Sequence, residues 1–222
     1  MALYGDTCGT VQCYSEAMDL DDVLDNPKAV VRLRVLRSTR PLLAERGLSV
    51  SMDEIATAAG VSRRSLFRHF DSRDELVAET LGSVIDAYES GLGDALSGER
   101  ELDEWLTNMV STLYKAHRDA GRGVWELTSA DDGVLSPPLA AVNRRRREVR
   151  QVLTDSLARA AWRHAGGRGR CPTVVVDTVA LVISTFVVQS MLNDYEVKFD
   201  RLVTCAVAAL SGVIRAELTA AA

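Results

Sequence analysis

The sequence predicts an all-α fold, with a helix-turn-helix segment near the N-terminus and a bundle of longer helices after it. Three observations support this prediction. Residues 49–76 contain two short helical stretches that meet at a glycine. Apolar residues recur at helical spacing further along the chain, as in Leu102, Leu106 and Met109. No alternating apolar and polar run is long enough to form a sheet.

The helix-turn-helix segment is delimited by residues that cap helices. Two capping boxes mark helix starts, one at Ser51–Glu54 and the other at Ser72–Glu75, because in this motif each side chain bonds the backbone N–H of the other residue. Gly60 stands where a helix C-terminus favours a left-handed residue. Ser62 is placed to cap a second short helix that runs to about Phe70. This order is typical of a DNA-reading motif.

The second short helix presents opposite faces to the core and to solvent. At about 100° per residue, Leu66 and Phe70 point in nearly the same direction, and Arg64 and Arg68 point away from them. Arginine binds guanine edges through two hydrogen bonds, and apolar groups contact thymine methyls. The predicted contacts to bases are Arg64, Ser65, Phe67 and Arg68. The predicted contacts to phosphates, at the margins of that surface, are Ser51, Ser62, Arg63, His69 and Arg73. A solvated basic face is the alternative, but the caps, the turn and the spacing together favour a DNA reader.

The same region resembles a known family. The segments that carry the resemblance are residues 43–47, 55–56, 59–62, 66–70 and 72–76. They resemble the TetR family of bacterial repressors over roughly residues 28–80. The resemblance implies a three-helix N-terminal DNA-binding domain, an all-helical C-terminal domain that binds a small effector, and a dimer. Three residues depart from the family pattern: Pro41 within the first helix, Arg64 where a small residue is usual, and Phe67 where tyrosine is frequent.

Charge is distributed unevenly along the 222 residues. The formal net charge is -5, yet residues 28–73 hold ten Lys or Arg against four Asp or Glu. A local basic patch on an acidic body is expected to restrict nucleic-acid binding to one face. No uninterrupted apolar run reaches the ~18 residues of a membrane span, and no signal peptide is recognisable, so a cytoplasmic protein is expected. The four cysteines lack the spacing of a zinc site, and neither a metal nor a cofactor is expected.

The sequence divides into three parts. We expect residues 1–25 to form a disordered acidic tail, residues 26–72 the helix-turn-helix DNA-binding domain, and residues 73–222 a helical effector-binding and dimerisation domain. The later predicted helices cover residues 100–120, 124–130, 138–165, 172–192 and 199–219. Residues 174–188 are apolar almost all round, and such a helix must be buried on all sides. This predicts a homodimer through the last two helices, with a deep core inside one chain as the alternative.

An effector pocket is predicted among the middle helices. Its candidate lining residues are Trp105, Met109, Tyr114, Trp125, Phe186 and Gln189. No catalytic constellation is recognisable, so the chain is not expected to be an enzyme. The favoured hypothesis is a ligand-responsive transcriptional repressor that binds a pseudo-palindromic operator as a dimer and is released by an apolar or amphipathic effector. The alternative is a DNA-binding protein without a small-molecule effector, controlled by a partner protein or acting architecturally.

Overall fold

Helices are the regular structure of the residues that the computed structural model describes, which are 26–90 and 101–220, and this part of the chain contains no strands. The predicted all-α class is confirmed. A short 3-10 turn, Gly47–Ser49, follows the first helix. The helices are α1 (Pro27–Arg46), α2 (Met52–Ala59), α3 (Arg63–Leu66), α4 (Arg73–Ser90), α5 (Leu102–Ser129), α6 (Pro137–His164), α7 (Thr173–Val182), α8 (Thr185–Asn193) and α9 (Phe199–Ala220). The predicted acidic tail and two of the cysteines, Cys8 and Cys13, lie outside the described residues.

Helix α1 begins and ends where its capping residues predict. The Asn26 side chain accepts hydrogen bonds from two backbone N–H groups of the first turn. Gly47 ends the helix at a φ of 72°, a conformation that glycine adopts with little strain. Pro41 lies inside α1 without ending it, although proline removes one backbone donor. Helix α1 therefore extends over 20 residues and packs against α2 and α4.

The described residues form two compact units, and the division differs from the predicted domain boundaries. One unit contains residues 26–90 and 120–146, and the other contains residues 101–119 and 147–220. Residues 120–146 thus belong with the helix-turn-helix segment, although the sequence analysis assigned them to the C-terminal domain. The reason is a close approach of the glycines after residue 120 to α1, described below. Helix α5 has a non-helical residue at Gly121, which confirms the predicted break between its two parts.

In the second unit, the prediction of one helix over residues 172–192 is wrong. The chain forms α7 and α8 instead, with a bend of 45° between them at Ile183 and Ser184. The Tyr114 hydroxyl donates a hydrogen bond to the Val182 carbonyl at the end of α7, 3.0 Å away. A buried side chain from another helix therefore bonds the backbone at the interruption, which local sequence periodicity cannot reveal.

Helix α9 is long and apolar enough to be a candidate membrane span, with a mean hydropathy of 1.5. In the sequence this helix is not one uninterrupted apolar run, because polar residues such as Ser211 and Arg215 interrupt it. Only 39% of its most apolar window is buried within the chain. Helix α9 packs against α7 and α8, so part of an apolar helix surface remains uncovered in a single chain.

Candidate nucleic-acid interface

The turn between α2 and α3 is fixed by local hydrogen bonds. Ser51 and Glu54 form the predicted capping box: the Ser51 hydroxyl accepts from the Glu54 N–H, and the Glu54 carboxylate accepts from the Ser51 N–H. Hydrogen bonds from the backbone and hydroxyl of Ser51 lower the pKa of Glu54 below its ordinary value of 4.5. Gly60 adopts a left-handed conformation, and the Val61 N–H donates to the Ala56 carbonyl at 3.0 Å, which completes a Schellman end for α2.

Helix α3 is shorter than the sequence predicts. The Ser62 hydroxyl accepts from the Ser65 N–H at 3.1 Å, which confirms the predicted cap. The regular α-helix ends at Leu66 instead of near Phe70. Beyond it, the Arg68 and His69 N–H groups bond the carbonyls three residues earlier, so the chain continues as a tighter turn. The periodicity that predicts an α-helix does not distinguish these two hydrogen-bond patterns over a single turn.

The two faces of this segment are those that the helical angles predict. Leu66 and Phe70 are buried at 0% and 1% exposure, which confirms their assignment to the core. Arg64 and Arg68 are exposed on the other side, and Phe67 is 46% exposed beside them. An exposed phenylalanine between arginines is unusual on a solvated surface and suits an apolar contact with bases.

The three arginines of this segment differ in their partners. Arg63 forms an ion pair with Asp53 of α2 at 3.0 Å, and its guanidinium lies 5.7 Å from the Phe67 ring centroid. Arg68 donates a long hydrogen bond of 3.4 Å to the Ser65 hydroxyl. Among the described residues, Arg64 makes neither an ion pair nor a hydrogen bond. Arg64 is therefore the guanidinium most available to an external acceptor.

The residues predicted at the margins are mostly engaged within the protein. The hydroxyls of Ser51 and Ser62 cap helices, and the His69 side chain is half-buried. Arg73 donates from Nε to the Val50 carbonyl at 2.6 Å and pairs with Asp74 at 2.5 Å. Arg73 thus ties the start of α4 to the segment before α2.

A residue that the sequence analysis did not single out holds this surface in place. Arg32 of α1 forms an ion pair with Glu79 of α4, and its Nη1 donates to the carbonyl of His69. Its guanidinium also lies 4.3 Å from the centroid of the Phe70 ring. Arg32 therefore joins α1 to α4 and to the end of the turn after α3. Only the charge of Arg32 is visible in the sequence, because its partners lie 37 to 47 positions away.

A second contact between distant parts of the chain involves the part of α5 that follows Gly121. Gly121 has a φ of 67°, and a Cβ atom there would lie 2.6 Å from the Ala44 carbonyl oxygen of α1. The Glu126 carboxylate accepts hydrogen bonds from the Leu48 N–H at 2.6 Å and from Arg122 at 2.5 Å. Residues 121–126 therefore lie directly against the C-terminal end of α1 and the turn that follows.

The candidate effector residues occupy different surroundings. Trp105, Met109 and Tyr114 are buried in the core of the second unit, at 2%, 0% and 1% exposure. Burial raises the pKa of Tyr114.

The other three candidates do not share that core. Phe186 of α8 is 46% exposed, and the Gln189 side chain accepts a hydrogen bond from Asn193 on the same helix. Trp125 is half-buried in the first unit. In the described part of the chain, no group of His, Cys, Asp or Glu side chains is arranged to hold a metal ion.

Comparison with known proteins places the helix-turn-helix segment in a family. Residues 35–80 match the family model for bacterial regulatory proteins of the tetR family. The HTH-type transcriptional repressor KstR2 of Rhodococcus jostii (strain RHA1) is 33% identical over 86 residues, which are 38% of this chain and 42% of the repressor. The HTH-type transcriptional activator FasR of Mycolicibacterium smegmatis is 30% identical over 116 residues, 52% of each chain. The chain matches about half the length of these curated relatives.

Solved structures share the fold at lower sequence identity. A tetR-family transcriptional regulator from Streptomyces coelicolor has a TM-score of 0.63 and 23% identity, with 84% of this chain and 82% of that chain covered. FadR from Bacillus subtilis, in complex with stearoyl-CoA, has a TM-score of 0.58 and 13% identity, with coverage of 81% and 98%. AibR, in complex with isovaleryl coenzyme A and operator DNA, has a TM-score of 0.56 and 16% identity, with coverage of 81% and 97%. Residues 35–80 therefore match the tetR family of bacterial regulatory proteins, and the chain shares the helical fold of solved transcriptional regulators.

Proposed function

We propose that this protein is a ligand-responsive transcriptional repressor that binds a pseudo-palindromic DNA operator as a dimer. The observation that carries the proposal is the exposed surface of α3 and the turn after it. Two arginines and a phenylalanine face solvent there, while the opposite face is fixed in the core by Leu66 and Phe70. A helix with one buried face and one exposed face can enter a major groove while its domain stays folded.

The residues proposed to read bases are those whose side chains have few or no polar partners within the protein. Arg64 is directed to a guanine edge, and Arg68 gives up only a 3.4 Å hydrogen bond to Ser65. Phe67 supplies the contact to a thymine methyl. The phosphate contacts are proposed for Ser51, Ser62, Arg63, His69 and Arg73. Arg63 and Arg73 already have internal partners, so we expect them to contribute less to affinity than Arg64.

The dimer is proposed through α7, α8 and α9. Large apolar side chains on α7 and α8 remain exposed in one chain, and they are Val174 at 44%, Leu181 at 65%, Phe186 at 46% and Val187 at 39%. The other side of the same helices is buried within the chain, at Val175, Val179 and Val188. An apolar surface of this extent usually marks an interaction site, and a second copy would cover it isologously. The two recognition segments would then read half-sites about one DNA turn apart, ~34–36 Å.

Ligand response is proposed through α5. This helix contains the buried candidates Trp105, Met109 and Tyr114, and its continuation after Gly121 contacts α1. A ligand that prefers one arrangement of α5 would shift the position of α1 and weaken DNA binding. The acyl-CoA ligands of the FadR and AibR complexes support an amphipathic effector class. The burial of Met109 at 0% exposure favours the alternative, a DNA-binding protein that has no small effector.

The test begins with genome-wide footprinting of bound DNA, followed by operator binding with purified protein. We expect an enriched palindromic site, and we expect stearoyl-CoA or isovaleryl-CoA, used as probes, to weaken binding to it. By reciprocity, operator DNA must weaken binding of an active probe by the same factor, commonly ~5–150-fold. Met109→Trp should abolish the ligand response and leave operator binding intact. Operator binding that no probe changes would favour the alternative, and the absence of any enriched site would contradict the proposal.

A further inference from the structure

A cavity of about 470 Å³ opens in the second unit, where α6 ends and α7 begins. Successive turns of α6 contribute Arg159 and Arg163 to its wall, four residues apart and so on the same face of the helix. Arg170, from the connection between the two helices, lies on the same cavity. Three arginines therefore line one cavity.

These three arginines differ from the paired arginines elsewhere in the protein. Arg32, Arg63, Arg145 and Arg215 each form an ion pair with a carboxylate. Within the described ranges, the side chains of Arg159, Arg163 and Arg170 form neither an ion pair nor a hydrogen bond.

The one acidic residue of the cavity lining, Asp155, lies one turn before Arg159 and makes no ion pair with it in this part of the chain. Positive charges that converge on a concave surface create a local potential that attracts an anion.

The remaining walls are apolar and held in place. Trp162 is buried, its indole N–H donates to the Arg168 carbonyl at 3.4 Å, and Gly167 packs closely against its ring. Val176 completes this side of the cavity. Cys171 is also buried at the lining; burial raises the pKa of its thiol, and the positive charge of Arg159 acts in the opposite direction.

The backbone at the start of α7 adds a partial positive charge beside the three arginines. Pro172 occupies the N-cap position and offers no side-chain acceptor to the first turn. The first N–H groups of a helix are unpaired without such a cap, and they carry a partial positive charge. Thr173, the first residue of α7, lines the cavity.

We propose that this cavity binds the phosphate or diphosphate group of a small molecule, with an aromatic or apolar part of the ligand against Trp162 and Val176. Arginine is suited to this task because its planar guanidinium bonds phosphate oxygens in pairs. The volume lies within the range of pockets for whole small ligands, about 300–1,000 Å³, and exceeds what a single phosphate needs. The proposal rests on the second unit alone and does not require that the protein bind DNA.

The test is calorimetric titration of the full-length protein, without DNA, using inorganic pyrophosphate and ADP as probes. Each titration is carried out at constant ionic strength, with sodium sulfate as the comparison anion. We expect pyrophosphate to bind more tightly than sulfate, and ADP to bind at least as tightly as pyrophosphate because its adenosine adds contacts with the apolar wall of the cavity. Arg159→Gln and Arg163→Gln should each weaken binding by about tenfold or more. Arg144→Gln is the matched control, since Arg144 is an exposed, unpartnered arginine on the same helix outside the cavity.

Hydrogen exchange locates the bound anion independently of the variants. Pyrophosphate should slow exchange of the backbone amides at the start of α7, around Thr173, and leave α2 unchanged. Circular dichroism of each variant should remain that of the parent protein, because the replaced side chains are exposed. No binding at millimolar pyrophosphate, or equal binding by the parent and the Arg159→Gln/Arg163→Gln double variant, would overturn the proposal.

Discussion

Replacing Arg32 with alanine is expected to destabilise the helix-turn-helix segment. The loss should exceed that caused by replacing any other exposed or half-buried charged residue of α1. In the structure this side chain contacts three elements: the Glu79 carboxylate of α4, the His69 carbonyl after α3, and the ring of Phe70. The variant removes all three contacts together. It also leaves the His69 carbonyl without its charged donor.

The expected change in the free energy of unfolding follows from the three contacts taken separately. The ion pair is about one third exposed on both sides, 36% and 34%, so it contributes only about 0.5–1 kcal/mol. The hydrogen bond from a charged donor to the His69 carbonyl adds about 1.5 kcal/mol, and the contact with the Phe70 ring adds about 0.5–1 kcal/mol. Because such contributions overlap, we expect Arg32→Ala to lower the free energy of unfolding by about 2–3 kcal/mol.

The assay is urea unfolding of the parent protein and of Arg32→Ala, with Arg34→Ala as the matched control. Arg34 lies on the same helix and carries the same charge, and its side chain makes no ion pair or hydrogen bond within the described residues. It should therefore change stability by less than about 0.5 kcal/mol. A double-mutant cycle with Glu79→Ala should return a coupling of only about 0.5–1 kcal/mol. Equal stabilities for Arg32→Ala and Arg34→Ala would refute the role assigned to Arg32.

Three further substitutions test other parts of the structure. Leu181→Glu places a charge on the 65% exposed apolar surface of α7 and should convert a dimer to a folded monomer in sedimentation analysis; Val134→Glu, at a 79% exposed valine in a loop, should not. Gly121→Ala should destabilise the protein by about 2–4 kcal/mol in urea unfolding, because a Cβ there would overlap the backbone of α1 in a conformation that only glycine adopts easily. Gly166→Ala shares the positive φ but has open space around it, so a loss as large as that of Gly121→Ala would contradict this explanation. The folded pKa of Glu54 is lowered, so its contribution to stability is present above the ordinary value of 4.5 and is lost as the pH falls through the lower folded value. Glu54→Gln should remove that part of the pH dependence, and an unchanged acid unfolding curve would count against it.

The features that the sequence predicts well are those determined by adjacent residues. The caps at Asn26 and Ser51 and the left-handed Gly60 are present as predicted, because each depends on hydrogen bonds within one helical turn. The burial of Leu66 and Phe70 follows from helical geometry alone. The second capping box, at Ser72–Glu75, is formed in only one direction: the Ser72 hydroxyl accepts from the Glu75 N–H, whereas the Glu75 carboxylate accepts from Asp71.

The features that the sequence does not predict depend on residues distant in the chain. The break after α7 coincides with a hydrogen bond from Tyr114, which lies 68 positions before Val182. Gly121 is recognisable as a helix interruption, but its packing against α1 is not, because nothing near it in the sequence identifies the partner helix. At the cavity in the second unit, Arg170 is similarly separated from Arg159 and Arg163 by a turn whose path the sequence leaves open.

The central claim, that α3 and the turn after it read DNA through Arg64 and Arg68, is tested most directly by measuring affinity for a selected site. Duplexes that bind the purified protein are selected from a random library, and the dissociation constant for the enriched site is measured for the parent, Arg64→Ala, Arg68→Ala and the control Arg144→Ala. The account predicts a palindromic consensus, a loss of about 1–3 kcal/mol for each of the first two variants with relaxed preference at one base position per half-site, and affinity close to that of the parent for the control. Parental affinity and unchanged base preference in both Arg64→Ala and Arg68→Ala would contradict it.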